Sequence, residues 1–189
     1  MTVPSRVADS LDEHLEVAGR IRELLPEVDR IADAVIQRVE QGGRLYAFGN
    51  GGSAADAQHL VGELLGRFKR ERRPLPAMTL STDPSTVTCI ANDYSFDDVF
   101  ARQLEALAGP NDVAVGYTTS GRSENVVRGL AAARGLGAVT VLFGGDGPAR
   151  DYADHALVVP SQSTARTQEM HLLLMHLVID EVDKWAAGE

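Results

Sequence analysis

The chain has 189 residues, and its 18 lysines and arginines against 27 aspartates and glutamates give a formal net charge of −9 at pH 7. This length predicts one domain, 1–189, with its own core. The negative charge argues against a nucleic-acid or membrane-surface binder, because phosphates would be repelled. A lone cysteine, Cys89, excludes a disulfide framework and suits a reducing compartment. No apolar signal segment or membrane span stands out, so we expect a cytoplasmic protein.

Two helices are predicted before residue 43. Apolar residues of the first recur at helical spacing from Leu11 to Leu24, and the second runs from about Pro26 to Gly42-Gly43. We expect this N-terminal helical segment, 1–42, to pack on the core and at a subunit interface.

Short apolar runs then alternate with helical patterns. Strands are predicted at Leu45–Phe48, Ala77–Leu80, Val113–Tyr117, Val139–Phe143 and Ala156–Val159. Helices are predicted at Ala54–Phe68, Val99–Leu107, Val126–Leu136 and Thr167–Trp185. This alternation is typical of an α/β fold with a doubly wound, mostly parallel five-stranded sheet covered by helices on both faces. The last helix is apolar nearly all round over Leu172–Ile179, which predicts an oligomer with helices at its interface.

Two further features are expected to be structural. The basic stretch Arg67–Arg73 reads as a solvated loop, with a partner or substrate-gating surface as the alternative. Cys89 lies in an apolar run and is expected to be buried and inert.

Two turns rich in glycine and hydroxyl side chains, 48–55 and 118–123, each separate a predicted strand from a helix. In a parallel sheet such turns lie at the carboxyl ends of the strands, where ligands bind. Their glycines let the backbone approach a ligand, and helix N-termini favour anions. Neither turn matches the dinucleotide or Walker signature, so no nucleotide cofactor is expected. The pattern predicts two phosphate-binding turns, and ordinary strand-to-helix turns are the alternative.

Four ordered segments make the sequence resemble a known family. They are GNGGSAADAQHLVGEL (49–64), IANDYSFDDVFARQLEAL (90–107), TTSGRSENV (118–126) and TARTQEMHLLLMH (164–176). The chain resembles the sugar isomerase (SIS) fold and, within it, the phosphoheptose isomerases, over nearly its whole length. This implies an SIS-type fold, a sugar-phosphate substrate and a homotetramer.

The resemblance implies a set of site residues. Residues expected at the sugar phosphate are Asn50, Gly51, Gly52 and Ser53, with Asn92 and Asp93 at sugar hydroxyls, and Glu63 and Gln168 also in contact with substrate. Those expected to hold the phosphate are Thr118, Thr119, Ser120 and Ser123. Those expected to bind a metal are His59, Glu63, Gln168 and His176. The chain departs from some relatives at Thr118, where they have serine, and at Ala165, where they have aspartate; the latter puts an acidic contact there in doubt.

Spacing adds to the metal prediction. His59 and Glu63 are four residues apart and share one helical face. Gln168 and His176 lie within ~80° of each other around their helix. Two imidazoles, a carboxylate and an amide suit Zn²⁺, one ion per subunit. A surface ion pair and a core histidine are the alternatives.

The implied reaction interconverts D-sedoheptulose 7-phosphate and D-glycero-D-manno-heptose 7-phosphate through an enediol, as the first step of heptose nucleotide biosynthesis. Glu63 is assigned to move the carbon proton between C1 and C2, and His176 to exchange protons with sugar oxygens. Zn²⁺ would polarise the carbonyl. Whether Glu63 is ligand, base or both stays open.

Two other functions remain as alternatives. A non-enzymatic SIS scaffold, similar to the protein that binds the bacterial replication initiator, shares the glycine-rich turns. Isomerases of hexosamine or pentose phosphates commonly append further domains, for which 189 residues leave no room. The retained quartet of His59, Glu63, Gln168 and His176 favours an enzyme over the scaffold.

Overall fold

Five parallel strands form one sheet in the order β2-β1-β3-β4-β5. The computed structural model describes residues 6–189, so the first five residues of the predicted N-terminal segment lie outside it. The strands are β1 (Leu45–Gly49), β2 (Ala77–Thr79), β3 (Val113–Thr118), β4 (Val139–Gly144) and β5 (His155–Val158). The helices are α1 (Arg6–Arg20), α2 (Leu25–Glu40), α3 (Gly52–Leu65), α4 (Pro84–Asp93), α5 (Ala101–Leu107), α6 (Glu124–Gly135) and α7 (Thr164–Ala187). The predicted α/β class and the five strands are confirmed.

The sheet has a core on each face because successive strand residues point to opposite sides. In β1, Leu45 and Ala47 belong to a core shared with α1, α2, α3 and α7, whereas Tyr46 and Phe48 face α4, α5 and α6. The same alternation continues in β3 and β4. Helices α3 and α7 therefore lie on one face of the sheet, in contact with each other.

Helix α7 is buried within its own chain more fully than its sequence alone indicated. It packs against α1, α2, α3 and β4. Leu174, Met175, Val178 and Ile179 are buried by these neighbours, while Leu173 is 38% exposed. Much of the apolar surface from which an oligomer was predicted is thus covered by the chain itself.

Helix α4 is absent from the predicted elements. Its sequence, PSTVTCIAND, is rich in β-branched residues, which weakens the helical signal. A start signal was nevertheless present, because the Asp83 side chain caps the helix by accepting from the Ser85 amide, and Pro84 opens it. The helix buries Ile90 but leaves Cys89 exposed, so the prediction of a buried Cys89 was wrong.

The prediction of a solvated loop at Arg67–Arg73 was wrong for part of the stretch. The side chain of Arg72 is 1% exposed and pairs at 2.9 Å with Asp183, which is fully buried. Arg70 pairs with Asp180 at 3.0 Å. Both partners lie on α7, more than a hundred residues later, where local sequence gives no sign of them.

Candidate active site

The first glycine-rich turn joins β1 to α3 and needs glycine at two positions. Gly51 has a φ of +56°, in the region that favours glycine. A methyl group on Gly52 would overlap the side-chain amide of Gln168 at the start of α7. The turn thus brings the N-terminus of α3 against Gln168, and the predicted contact of both residues with substrate stays a prediction.

The second turn, between β3 and α6, gathers three hydroxyl groups. The Thr118 Oγ1 atom lies 3.0 Å from Ser123 Oγ and 3.4 Å from Ser120 Oγ. The Arg122 amide donates to Ser120 Oγ at 3.2 Å. Gly121 has a φ of +65°, and a methyl group there would lie 2.6 Å from the Gly145 carbonyl oxygen. This packing holds the hydroxyl groups at the end of β3.

A polar cavity of about 180 Å³ lies beside the second turn. It is lined by Thr119, Ser120, Arg122, Asp146, Ser161, Gln162 and Thr164. Thr119 and Ser120 are predicted phosphate ligands, whereas the other five were not predicted. Arg122 lies within the recognised segment TTSGRSENV, but nothing in the local sequence points to Ser161, Gln162 or Asp146.

The two turns are joined by a reciprocal pair of amides. Asn50 Nδ2 donates to Asn125 Oδ1 at 2.8 Å, and Asn125 Nδ2 donates to Asn50 Oδ1 at 2.9 Å. Asn125, on α6, is 2% exposed. The sequence reasoning missed it, and the available signal was an asparagine at the start of a helix directly after the second glycine-rich turn.

Three predicted metal ligands converge where α3 and α7 pack together. His59 Nε2 lies 2.9 Å from Glu63 Oε1, and His176 Nε2 lies 3.5 Å from His59 Nε2. One ligand atom from each of the three residues lies within 4.8 Å of the others. These separations suit a single Zn²⁺ ion, since Zn–N and Zn–O bonds are about 2.0–2.2 Å long.

An aromatic ring also packs against His176. Phe68 stacks on the imidazole of His176 with ring centroids 5.3 Å apart and an interplanar angle of 19°. Burial, reinforced by the nearby His59, lowers the pKa of His176 and favours the neutral imidazole, the form that binds metals.

Gln168 lies apart from the three converging side chains. It precedes His176 by eight residues, about 12 Å along the axis of α7, and its amide contacts Gly52 instead. The structure therefore groups His59, Glu63 and His176 with one another and Gln168 with the first turn.

Asn92 and Asp93 are exposed at the C-terminal end of α4. Asn92 Nδ2 donates to Asp93 Oδ1 at 2.8 Å, and Cys89 Sγ lies 3.6 Å from Asp93 Oδ2. Ser81, in the segment between β2 and α4, donates a hydrogen bond from its Oγ to the Gly49 carbonyl at 3.2 Å and so connects this segment to the first turn. Among the described residues, the side-chain hydrogen bonds of Asn92 and Asp93 thus stay within α4, and their predicted role remains a prediction.

Polar side chains also lie between the sheet and the two helices of the site. The Asp56 Oδ2, Tyr117 Oη and Thr167 Oγ1 atoms are buried without a hydrogen-bond partner among the described residues. Burial raises the pKa of Asp56 to about 6 and lowers that of His171, whose ring centroid is 5.9 Å from that of Tyr117, to about 4. Burial thus makes Asp56 a weaker acid than an exposed aspartate and favours the neutral form of His171.

Comparison with known proteins gives the chain its relatives. The SIS domain family matches residues 11–145. The phosphoheptose isomerase of Aquifex aeolicus (strain VF5) is 50% identical over 156 residues, which are 82% of this chain and 82% of that protein.

Solved structures extend the similarity to the fold. A phosphoheptose isomerase from Neisseria gonorrhoeae is 37% identical with a TM-score of 0.89, covering 95% of this chain and 97% of that one. One from Francisella tularensis is 32% identical with a TM-score of 0.92, covering 97% of this chain and 100% of that one. The similarity thus spans nearly the whole chain. Among the described residues, no helix is long and apolar enough to span a membrane.

Proposed function

Because this chain belongs to the SIS domain family and, within it, to the phosphoheptose isomerases, a family of sugar-phosphate isomerases, we propose that it interconverts D-sedoheptulose 7-phosphate and D-glycero-D-manno-heptose 7-phosphate. The product would serve as the first intermediate of heptose nucleotide biosynthesis. The observation that carries the proposal is the convergence of Glu63 and His176 where the helix that begins at the first turn meets α7.

The two turns and the contact between α3 and α7 would bind different parts of one phosphorylated sugar. Gly52 lies at the first turn, and His59 lies about 10 Å further along α3. Thr118, Thr119, Ser120 and Ser123 would bind the phosphate, and Asn50 would align the first turn with the second through Asn125. Gln168, Asn92 and Asp93 would contact the sugar hydroxyls.

Glu63 would move the proton between C1 and C2 of the sugar. A carboxylate can accept the proton from C1 of the ketose, exchange it in part with solvent, and deliver a proton to C2 of the enediol on the same face. The Glu63 side chain is 20% exposed, so a substrate can reach it. His176, held by Phe68, would exchange protons with the sugar oxygens and assist ring opening.

His59, Glu63 and His176 would hold a divalent metal, which we propose to be Zn²⁺. When bound, it would polarise the carbonyl oxygen of the sugar. Gln168 remains a proposed ligand from the family resemblance, but its contact with Gly52 supports a role at the substrate.

We propose a cytoplasmic homotetramer, as the family resemblance implies. An exposed apolar stripe on α1 supports association, since Val7, Leu11 and Leu15 are 79%, 58% and 59% exposed. These residues recur every four positions on one helical face, and a stripe of this kind favours a protein interface.

The test is incubation of the purified protein with sedoheptulose 7-phosphate, and in parallel with ribulose 5-phosphate and fructose 6-phosphate, with the products identified by NMR. Preferential turnover of the heptulose supports the proposal. Preference for a shorter ketose would assign another phosphosugar, and no turnover of any would favour a non-enzymatic scaffold.

A further inference from the structure

Arg72 binds the C-terminal end of α3 at the residue that carries the proposed base. Its guanidinium donates to the carbonyl oxygens of Glu63 at 2.6 Å, Leu64 at 2.9 Å and Gly66 at 3.1 Å. The last carbonyls of a helix have no partner within the helix, so they depend on donors of this kind. Arg72 therefore fixes the backbone of Glu63 directly.

The same guanidinium is bound to α7. Arg72 Nε donates to Asp183 Oδ1 at 2.9 Å. The other carboxylate oxygen, Oδ2, accepts from the backbone amides of Lys69 at 3.1 Å and Arg70 at 2.9 Å. Asp183 thus holds both the Arg72 side chain and the loop that leads to it.

This arrangement connects the two helices on which the proposed acid–base pair lies. Asp183 follows His176 by seven residues, about two turns, and so lies on the same face of α7. Glu63 lies on α3, and its backbone carbonyl accepts a hydrogen bond from Arg72. The loop that leads from the end of α3 to Arg72 also carries Phe68, which stacks on His176.

We propose that Arg72 and Asp183 are positioning residues that set the separation between Glu63 and His176. The inference rests on the proposed function, in which these two side chains act on one substrate. Desolvation offsets much of the attraction within a buried ion pair, so stability alone is a weak reason for this pair. The geometry of the pair can affect the rate of the reaction, because a displacement of about 1 Å at a reacting group can lower that rate about a hundredfold.

Three variants distinguish an effect on the positions of Glu63 and His176 from an effect on the stability of the fold. Arg72→Lys keeps the positive charge but lacks the fork that reaches both the α3 carbonyls and Asp183. The double variant Arg72→Met/Asp183→Asn removes both charges, so neither remains buried alone, and it keeps an acceptor for the Lys69 and Arg70 amides. Arg70→Gln is the control for the charge of this loop: Arg70 bonds to Asp180 and Glu189, its guanidinium lies 3.7 Å from Asp183 Oδ2, and among the described residues its side chain reaches no carbonyl of α3.

We expect Arg72→Lys and the double variant to lower kcat about tenfold or more, with KM for sedoheptulose 7-phosphate within about threefold of the original. Arg70→Gln is expected to keep kcat even if its Tm falls. A stably folded double variant with unchanged kcat would overturn the proposal, since a purely structural pair affects only stability.

A crystal structure of each folded variant gives a readout that does not depend on turnover. The distance between the ligand atoms of Glu63 and His176, which lie within 4.8 Å of each other in the original chain, is expected to change by about 1 Å. An unchanged distance in both Arg72 variants would overturn the positioning role. Lack of turnover by the original protein, with the distance changed in the variants, would refute the proposed function and leave the positioning of the helices supported.

Discussion

Asn50 and Asn125 exchange two hydrogen bonds, at 2.8 and 2.9 Å, between the turn after β1 and the first turn of α6. Neither residue can rotate its amide without breaking both bonds, so the two glycine-rich turns, at which we propose that the sugar phosphate binds, are aligned with each other before a ligand arrives. Positioning of this kind reduces the entropy lost on binding.

Asn125→Ala is expected to uncouple the two turns. It leaves the Asn50 amide without its partner, and we expect the free energy of unfolding to fall by about 1–3 kcal/mol. KM for the sugar phosphate should rise more than kcat falls. Urea denaturation and steady-state kinetics measure the two effects. Asn111→Ala, at an exposed position, is the control; equal KM values in the two variants would refute the coupling.

Much of the fold was predictable because hydrophobic periodicity is local. The five strands were predicted to within one or two residues of their observed bounds, and the turns at their carboxyl ends follow from parallel topology. His59 and Glu63 were placed together by helical spacing alone, and their observed contact at 2.9 Å agrees.

The features that were missed depend on contacts between distant parts of the chain. Arg72 and Asp183 are separated by more than a hundred residues, and neither has a local sign of its partner. Cys89 is exposed because α4 turns that face to solvent, a property of how the helix packs. The contact between Gln168 and Gly52 likewise depends on the relative placement of α3 and α7.

Ser120→Ala tests the phosphate site. If the hydroxyl group binds phosphate, its loss removes a charge-assisted hydrogen bond worth about 1.5–3 kcal/mol, which corresponds to a rise in KM of roughly 10- to 150-fold. Kinetics with the phosphorylated sugar measure the change. Ser85→Ala, at the exposed start of α4, is the matched control. An unchanged KM in Ser120→Ala would mean that the second turn is only a connection between β3 and α6.

Asp56→Asn tests the buried polar layer through its pH dependence. Burial raises the pKa of Asp56 from 3.8 in the unfolded chain to about 6, so the folded state binds the proton more tightly. The tighter binding of the proton stabilises the folded state by its full amount below pH 3.8, and this stabilisation is lost as the pH rises through about 6.

The neutral asparagine avoids that loss. We expect the free energy of unfolding of Asp56→Asn at pH 8 to exceed that of the original chain by roughly 1–2 kcal/mol, once solvent screening is allowed for, and its Tm to be higher. Near pH 4 this advantage should be lost. Thermal unfolding from pH 4 to 8 measures the difference. Asp12→Asn, exposed on α1, is the control. A Tm difference independent of pH would contradict the burial of the Asp56 charge.

Glu63→Gln tests the proposed base. The change keeps the size of the side chain but removes the group that accepts the carbon proton, so kcat should fall by about 10²–10⁴ while substrate still binds. Glu105→Gln makes the same chemical change at an exposed position of α5 and should leave kcat unaltered. Near-normal turnover by Glu63→Gln would show that another group moves the proton.

The most direct measurement is an NMR record of sedoheptulose 7-phosphate incubated with the protein in D₂O. Proton transfer through an enediol removes hydrogen from C1 and returns hydrogen to C2 from a carboxylate that exchanges with solvent. The expected result is the aldose with deuterium at C2, accompanied by deuterium at C1 of the recovered ketose. Failure to form any aldose, or an aldose whose C2 hydrogen comes entirely from C1, would contradict an enediol isomerase.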